Sequence, residues 1–463
     1  MVPYWVQDAV FYQIFPDRFA NGVPENDPPN VQRWGTKPSI WGFQGGDLRG
    51  VINNFDYLLE LGVNALYFNP IFRATSNHRY NISDYFHIDR KLGDMDDFRA
   101  LLDIAHKNHV RVILDGVFNH CGRGFFAFND VLENHQHSPY LDWFHLNHVP
   151  PDAYSPGDAA DYDGWWKHKS LPEFNISNPK VRSFLLEVAR FWIEQGADGW
   201  RLDVPNEIDD DSFWAAFRET VKSTNKDAYL MGEIWDGNPR WVGDNHFDGL
   251  MNYPLREGLL QYLSEEISSR EFAEIVDDLL NRYAEENVYA MYLPLGSHDT
   301  RRIATALDED MAKVKMAFLF QFAFPGAPAI YYGDEIGMRG GKDPDCRGAF
   351  PWNENDWDLE LRELVKSLID IRKRNPVLRR GSYQVLGVDP KRGTYTFGRK
   401  LGKSGFVAAF NASSSRRHLK VNVADVGWRD GRIVKEELTD IEYVVSGDTL
   451  NLALEPWSGE WIF

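Results

Sequence analysis

The chain has 463 residues, 43% of them hydrophobic, and a net charge of −19 with no basic block or stripe. That balance suits a chain with a real core and argues against nucleic acid and anionic membrane surfaces as partners. Two cysteines far apart in sequence, Cys121 and Cys346, make neither a disulfide framework nor a metal cluster. No apolar run approaches about 18 residues, and the N-terminus lacks the pattern of a secretory signal, so a cytoplasmic protein is expected.

Short apolar, β-rich runs recur along the first three quarters. They are VFYQIFP at 10–16, ALYFNPI at 65–71, RVILDGVF at 111–118, GWRLDVP at 199–205, YLMGEIW at 229–235, LMNYPL at 250–255, YLPLGSHD at 292–299 and PAIYYGDE at 328–335. Segments of helical period stand between them, such as FDYLLELG, DDFRALLDIAHKNH, VRSFLLEVARFWIEQG and MAKVKMAFLFQFAF, with Gly62 and Gly196 placed as helix C-caps. Apolar strands alternating with amphipathic helices predict parallel strands covered on the outside. Eight such units predict an α/β fold, a (β/α)8 TIM barrel over 1–120 and 174–375. The stretch 121–173, rich in His, Asp, Pro and aromatics, lacks periodicity and is too long for a plain loop. It reads as a subdomain inserted after the third strand, above the barrel's C-terminal face. From 376 to 463, short alternating runs with turn residues between them predict an antiparallel β-sandwich.

Polar residues cluster at the strand ends. Asp115, Asn119 and His120 follow the third strand, Arg201 and Asp203 the fourth, Glu233 the fifth, His298 and Asp299 the seventh, and Asp334 and Glu335 the eighth. Charges there are costly unless paired or functional, and this end of a barrel holds its reacting groups. The period of two along a strand points Arg201 and Asp203 the same way. A guanidinium beside a carboxylate is expected to keep it ionised, although a structural ion pair reads identically. Crowding Asp203, Glu233 and Asp299 at one mouth is expected to raise at least one pKa. One ionised nucleophile beside one protonated acid is the pattern of retaining glycoside hydrolysis. A His–carboxylate metal centre lacks an HExxH or any ligand pair at helical spacing, and a phosphate site lacks its Gly-rich loop.

Four motifs in order resemble those of the α-amylase family of glycoside hydrolases: DGVFNH at 115–120, GWRLDVPNE at 199–207, GEIW at 232–235 and GSHDT at 296–300. GGDLRGVINNFDYLLELGVNALYFNPIF and GAPAIYYGDEIGM support the resemblance, which covers barrel, insertion and sandwich. It implies a retaining α-glucan hydrolase cleaving α-1,4 bonds, with α-1,6 cleavage left open, in maltooligosaccharides, cyclodextrins, pullulan or starch through a covalent glycosyl-enzyme. Asp203 is then the nucleophile, Glu233 the general acid/base and Asp299 the transition-state stabiliser. Arg201, His120 and His298 hold the sugar in the cleavage subsite, and Tyr80 with His78 forms its platform. Asp343 and Arg347, in DPDCR, bind the next glucose. Trp235 follows the acid and is placed on the leaving-group side. Asp115 and Asn119 are support groups, and Trp165 and Trp166 suit sugar contact or packing equally. A mainly transglycosylating enzyme and a non-catalytic sugar-binding protein on this fold are the alternatives.

FPDRFANGVPENDP, GWRLDVPNE and DPDCR bring the chain nearest the neopullulanase, cyclomaltodextrinase and maltogenic amylase branch. That branch usually carries a β-domain before the barrel that assists dimerisation. Here the first strand begins at residue 10, so no such domain is expected and the sequence does not decide between monomer and dimer. LPEFN, at 171–175, stands where the branch has MPKLN and oligo-1,6-glucosidases have QPDLN. The branch also takes a structural calcium from an N-G-x-x-x-N-D stretch and a Gly-Gly-Asp turn. The matching residues are Asn21, Asn26, Asp27, Gly45 and Asp47, with Val23 able to offer only its carbonyl. No organic cofactor is implied.

Overall fold

A computed structural model describes residues 1–463. Eight parallel strands form its centre: β1 (Phe11–Ile14), β2 (Ala65–Phe68), β3 (Arg111–Gly116), β4 (Gly199–Leu202), β5 (Tyr229–Gly232), β6 (Gly249–Leu250), β7 (Tyr292–Pro294) and β8 (Ala327–Tyr331). Successive strands are neighbours, β8 pairs with β1, and a parallel bridge from Met251 to Tyr292 joins β6 to β7 and closes the barrel. The sixth strand is shorter than LMNYPL suggests. Asn252 accepts the Leu255 N–H and caps the helix Tyr253–Leu263, whose first turn takes Pro254, so that run is divided between a strand and a helix start.

The period of two sorts side chains into an inside and an outside. Phe11, Tyr67, Ile113, Tyr229, Met231 and Tyr292 pack against one another as an inner plug. Their neighbours Tyr12, Leu66, Val112, Leu114, Trp200 and Leu230 belong to the outer core shared with the helices. Two residues further along three strands, the positions in phase with the plug turn polar while staying buried: Gln13 on β1, Asp115 on β3 and Glu233 just after β5. Local signals end the helices between strands. Asp94 and Asp97 form a capping box at Met95–Lys107, and Asn178 caps Pro179–Glu194. Gly62, at φ 96°, ends Phe55–Leu61 in the left-handed conformation that glycine adopts without strain.

Between β3 and the helix Pro179–Glu194 the chain makes one helix, Phe126–Asn134, three 3-10 turns and isolated antiparallel bridges such as His120–Glu173 and Phe144–Phe174. Aromatic contacts hold it: Phe125 meets Tyr85, Trp143, Phe174 and Phe184. Packing of this kind leaves no period in the sequence.

Beyond residue 380 a four-stranded antiparallel sheet (Ser382–Asp389, Thr394–Leu401, Ser404–Asn411, Ser458–Ile462) faces the strand pair Arg417–Asn422 and Thr449–Leu454. Val407, Ala409 and Ile462 pack against Val421, Leu450, Leu452 and Leu454 between the layers. The other face of the larger sheet, through Tyr395, Phe397 and Phe410, covers Phe320 of the barrel helix Met311–Ala323.

Candidate active site

The register of β3, β4 and β5 builds the centre. Asp115 lies beside Arg201, and Leu202 beside Gly232, the residue before Glu233. Arg201 Nη1 donates to Asp115 Oδ1 at 2.9 Å and to Asp203 Oδ1 at 2.8 Å. Its Nη2 lies 2.7 Å from Glu233 Oε1, without the alignment of a hydrogen bond. One guanidinium thus touches three carboxylates. The facing oxygens of Asp203 and Glu233 lie against the two terminal nitrogens of a single guanidinium, on one side of the barrel mouth. Val204 follows at φ 35° and ψ 50° and donates its N–H to Glu233 Oε2 at 3.0 Å. A β-branched residue in this left-handed region is strained, and the strained turn aims that N–H at the acid.

Arg201 is fully buried, and Asp203 and Glu233 nearly so. Burial pushes the Glu233 carboxyl up to about 7, against the pull of Arg201, with Asp299 and Asp115 adding to the rise. Burial raises Asp203 well above the usual carboxylate range too, opposed by Arg201 and reinforced by Glu233 and Asp115. This corrects the expectation that Arg201 simply lowers Asp203. One cation divided among three buried carboxylates does not offset their desolvation, so the group retains a proton.

Beyond β7, Asp299 Oδ2 lies 3.0 Å from His298 Nε2, and Oδ1 lies 3.2 Å from Arg347 Nη2. Arg347 also meets Asp343 at 2.9 Å and donates from Nε to the His298 carbonyl, tying the DPDCR loop to this acid. The Asp299 side chain is 31% exposed. It borders a depression of about 490 Å³ with Trp235, Arg256, Thr300, Lys342 and Asp343.

Tyr80 and His78 sit in the loop of the hairpin Phe72–Ala74 and Ile82–Ile88, whose tip is anchored by buried Arg79 on Asp89 at 3.0 Å. Tyr80 donates to Asp115 Oδ2 at 2.8 Å. Its ring lies 7° from the plane of His298 and 22° from that of His78, giving three near-parallel rings. Asn119 Oδ1 lies 3.1 Å from His120 Nδ1, and the His120 ring faces Trp165, which stacks on exposed Trp166 at 4.7 Å. His120 Nε2 and Trp165 Nε1 are buried without partners. Burial, the largest cause, keeps all three histidines neutral: His78 and His120 are lowered to about 3 and His298 falls well below its usual value. Trp235, half exposed, stacks on Tyr253 at 3.9 Å with 2° between the planes.

The acids after β8 stand apart in their partners. Asp334 pairs with Arg302 at 2.9 Å, and Glu335 accepts from Tyr12 and Tyr57. Two groups that sequence reading passed over do join the site: Gln13, in FYQIF, and Asn69, directly after β2. Gln13 Nε2 lies 2.9 Å from His298 Nδ1 and 3.0 Å from Asn69 Oδ1. The criterion applied to the later strands, a polar residue at the end of an apolar run, would have found Asn69, whereas Gln13 lies inside its run.

In the calcium-type loop, Asn21 Nδ2 lies 2.9 and 3.0 Å from the two Asp27 oxygens. Asn26 Oδ1 is buried with no partner. Gly45 sits at φ 84°, and a Cβ there would stand 2.2 Å from Asp27 Oδ1 and 2.6 Å from Asn21 Nδ2. These groups fit a hard cation that takes oxygen ligands. Asp47 differs from Asn26. It accepts the Gly22, Val23 and Gly50 N–H groups and Asn26 Nδ2, so both of its oxygens are engaged within the loop.

The catalytic-domain model of the α-amylase family matches residues 13–411. The chain is 41% identical over 458 residues to a cyclomaltodextrinase of Geobacillus thermopakistaniensis, covering 98% of this chain and 76% of that protein. It is 41% identical over 461 residues to neopullulanase 2 of Thermoactinomyces vulgaris, covering 99% and 78%. The solved structure of cyclic α-maltosyl-(1→6)-maltose hydrolase from Arthrobacter globiformis, in complex with cyclic α-maltosyl-(1→6)-maltose, superposes with a TM-score of 0.90 at 36% identity, covering 100% of this chain and 99% of that one. The family's ordered motifs converge on one barrel mouth and its catalytic domain aligns over most of the sequence, so the chain belongs to the α-amylase family of glycoside hydrolases.

Proposed function

We propose that the protein is a retaining α-glucan hydrolase acting on α-1,4, and also α-1,6, bonds of maltooligosaccharides, cyclodextrins, pullulan or starch. The observation that carries this reading is Arg201, which gathers Asp203 and Glu233 on one guanidinium while burial lifts Glu233 to about 7. Asp203 receives an aligned, charge-assisted hydrogen bond from Nη1, whereas Glu233 has an unaligned contact with Nη2 and a hydrogen bond only from the neutral Val204 N–H, so the retained proton is placed on Glu233. Glu233 protonates the glycosidic oxygen while Asp203 attacks the anomeric carbon. Glu233, now ionised, then takes a proton from the water that releases the sugar. Asp299 stabilises the positive charge that develops on the ring. Arg201, His120 and His298 hold that ring on the Tyr80–His78 wall. Asp343 and Arg347 meet the next glucose, and Trp235 meets the leaving group.

Asn21, Asn26, Asp27, Asp47 and the carbonyls of Val23 and Gly45 are assigned to a structural calcium, which would tie this loop without entering the reaction. The buried thiols of Cys121 and Cys346, which are not joined, support a cytoplasmic setting.

Cyclodextrin, pullulan and maltotriose, tested side by side, are each expected to yield products with the α-anomer first. Asp203→Asn should remove activity by at least about 10⁴-fold with an unchanged melting temperature. Initial release of the β-anomer, or near-normal turnover by Asp203→Asn, overturns the reading.

A further inference from the structure

A neutral imidazole donates from one ring nitrogen and accepts at the other, and its neighbours decide which. Around His298 that choice is made by a buried chain of amides. Asn69 Nδ2 faces the Tyr80 hydroxyl at 3.1 Å, the Tyr67 hydroxyl at 3.4 Å and Asp115 Oδ2 at 3.5 Å. Both hydroxyls donate to Asp115 Oδ2, at 2.8 and 2.6 Å, so all three oxygens offer lone pairs to Asn69. Asn69 must keep its NH2 there and turn Oδ1 to Gln13. Gln13 must then present its own NH2, whose second hydrogen points at His298 Nδ1. Gln13, Asn69, Asp115 and His298 are each at most 1% exposed, so solvent does not relax the constraint. The His298 proton is left on Nε2, between the Tyr80 hydroxyl and Asp299 Oδ2.

We propose that Gln13 is a positioning residue for the glycosidic reaction: its amide, oriented through Asn69 by the charge of Asp115, holds His298 neutral with the proton on Nε2, where it donates into the sugar site. The proposal rests on the reading of the site given above. A second proton, on Nδ1, would point at the hydrogens of Gln13. Of the charged groups around His298, Arg347 and Arg201 oppose protonation, as does His78 when it is charged, while Asp299, and Asp115 across the Tyr80 hydroxyl, favour it. An imidazolium would neutralise Asp299 and place positive charge beside a sugar ring that is itself becoming positive.

The test reads the nitrogens directly. In protein labelled with 15N-histidine, the His298 pair is assigned by its loss in His298→Gln. Nδ1 is expected at the unprotonated position and Nε2 at the protonated one. Wild-type protein with a proton on Nδ1 overturns the proposal without need of any variant. Gln13→Glu is the complementary probe, because a carboxyl oxygen carries at most one hydrogen where the amide nitrogen carries two. Asn69 Oδ1 and His298 Nδ1 then cannot both be served. The expected result is a proton gained on Nδ1, with kcat down about 10²-fold and KM within about threefold. Loss of kcat with unchanged nitrogens makes Gln13 merely structural and overturns the assignment, as does a changed spectrum with kcat within twofold. If the chain cleaves no glucan yet Nδ1 is bare, the amide chain stands and the functional reading fails.

Discussion

Glu233 shows how one residue couples activity to stability. Its carboxyl titrates near 7 in the folded chain, against 4.5 for an ordinary glutamate. Between those values the folded chain holds a proton that the unfolded chain has released. The folded state binds more protons in that window, so this group's contribution is most favourable below 4.5, declines as pH rises, and levels off above 7. The ionised form costs on the order of 3 kcal/mol. Two consequences follow for measurement. The kcat/KM should fall above about pH 7, as Glu233 loses the proton it must give. The melting temperature of Glu233→Gln should exceed that of wild type by a larger margin at pH 8 than at pH 5, and equal margins would show the acid to be ionised at both. The pairing of Arg201 with Asp203 was legible from two-residue spacing alone. The rise of Asp203 was not, because it depends on Asp115 and Glu233 sharing the same cation, which strand register decides. Gln13 escaped notice because an amide in an apolar strand carries no charge to betray it.

At the scale of elements, two loops carry opposite kinds of support. The loop Asn21–Asp27 leaves Asn26 Oδ1 without a partner, while Asp47 has both oxygens engaged and caps the helix Leu48–Asn53. Calcium should therefore raise the melting temperature and a chelator lower it, by mass action on the folded state. Asn26→Ala and Asp27→Ala should lose that response, and Asp47→Ala should lose it and in addition melt lower without calcium, because Asp47 also caps the helix. A chelator without effect on wild type removes the calcium assignment. Trp165–Lys167 is different. Trp166 and Lys167 adopt positive φ, 46° and 63°, and Trp166 remains 72% exposed while stacked on Trp165. Strain spent to hold an aromatic ring open toward solvent suggests an outer sugar platform. Trp166→Ala should raise KM for maltohexaose about tenfold and leave maltotriose within twofold. Equal effects on both substrates point to packing instead. The strands of the barrel were readable because each is apolar on both faces. The insertion was visible only as missing periodicity, since aromatic clusters, unlike helices, obey no repeat.

For the whole molecule the question is whether barrel and sandwich unfold separately. Two buried guanidiniums without carboxylate partners answer it. Arg399, on a sandwich strand, donates to the carbonyls of Ala323 and Leu378, and Arg372 donates to those of Phe322, Gly326 and Leu378. Burial lowers both, Arg372 to about 9. Their protons are held by carbonyls at and just beyond the C-terminal end of the helix Met311–Ala323, the end whose carbonyls lack partners within the helix. Parting the sandwich from the barrel would take Arg399 from the Ala323 carbonyl, while Arg372 keeps its barrel partners, and would expose Phe320, which lies against Tyr395, Phe397 and Phe410. Neither part can lose the other cheaply. Calorimetry should therefore give one transition whose van't Hoff and calorimetric enthalpies agree. Phe320→Ala, which deletes packing at the interface but touches no group of the active site, should destabilise by about 3–5 kcal/mol. That loss should shift the single transition downward without splitting it, and leave kcat/KM at 25 °C within about twofold. Two resolved transitions in wild type, or loss of activity in folded Phe320→Ala, would show that the sandwich is an appendage or that it reaches the site by a route these contacts do not contain.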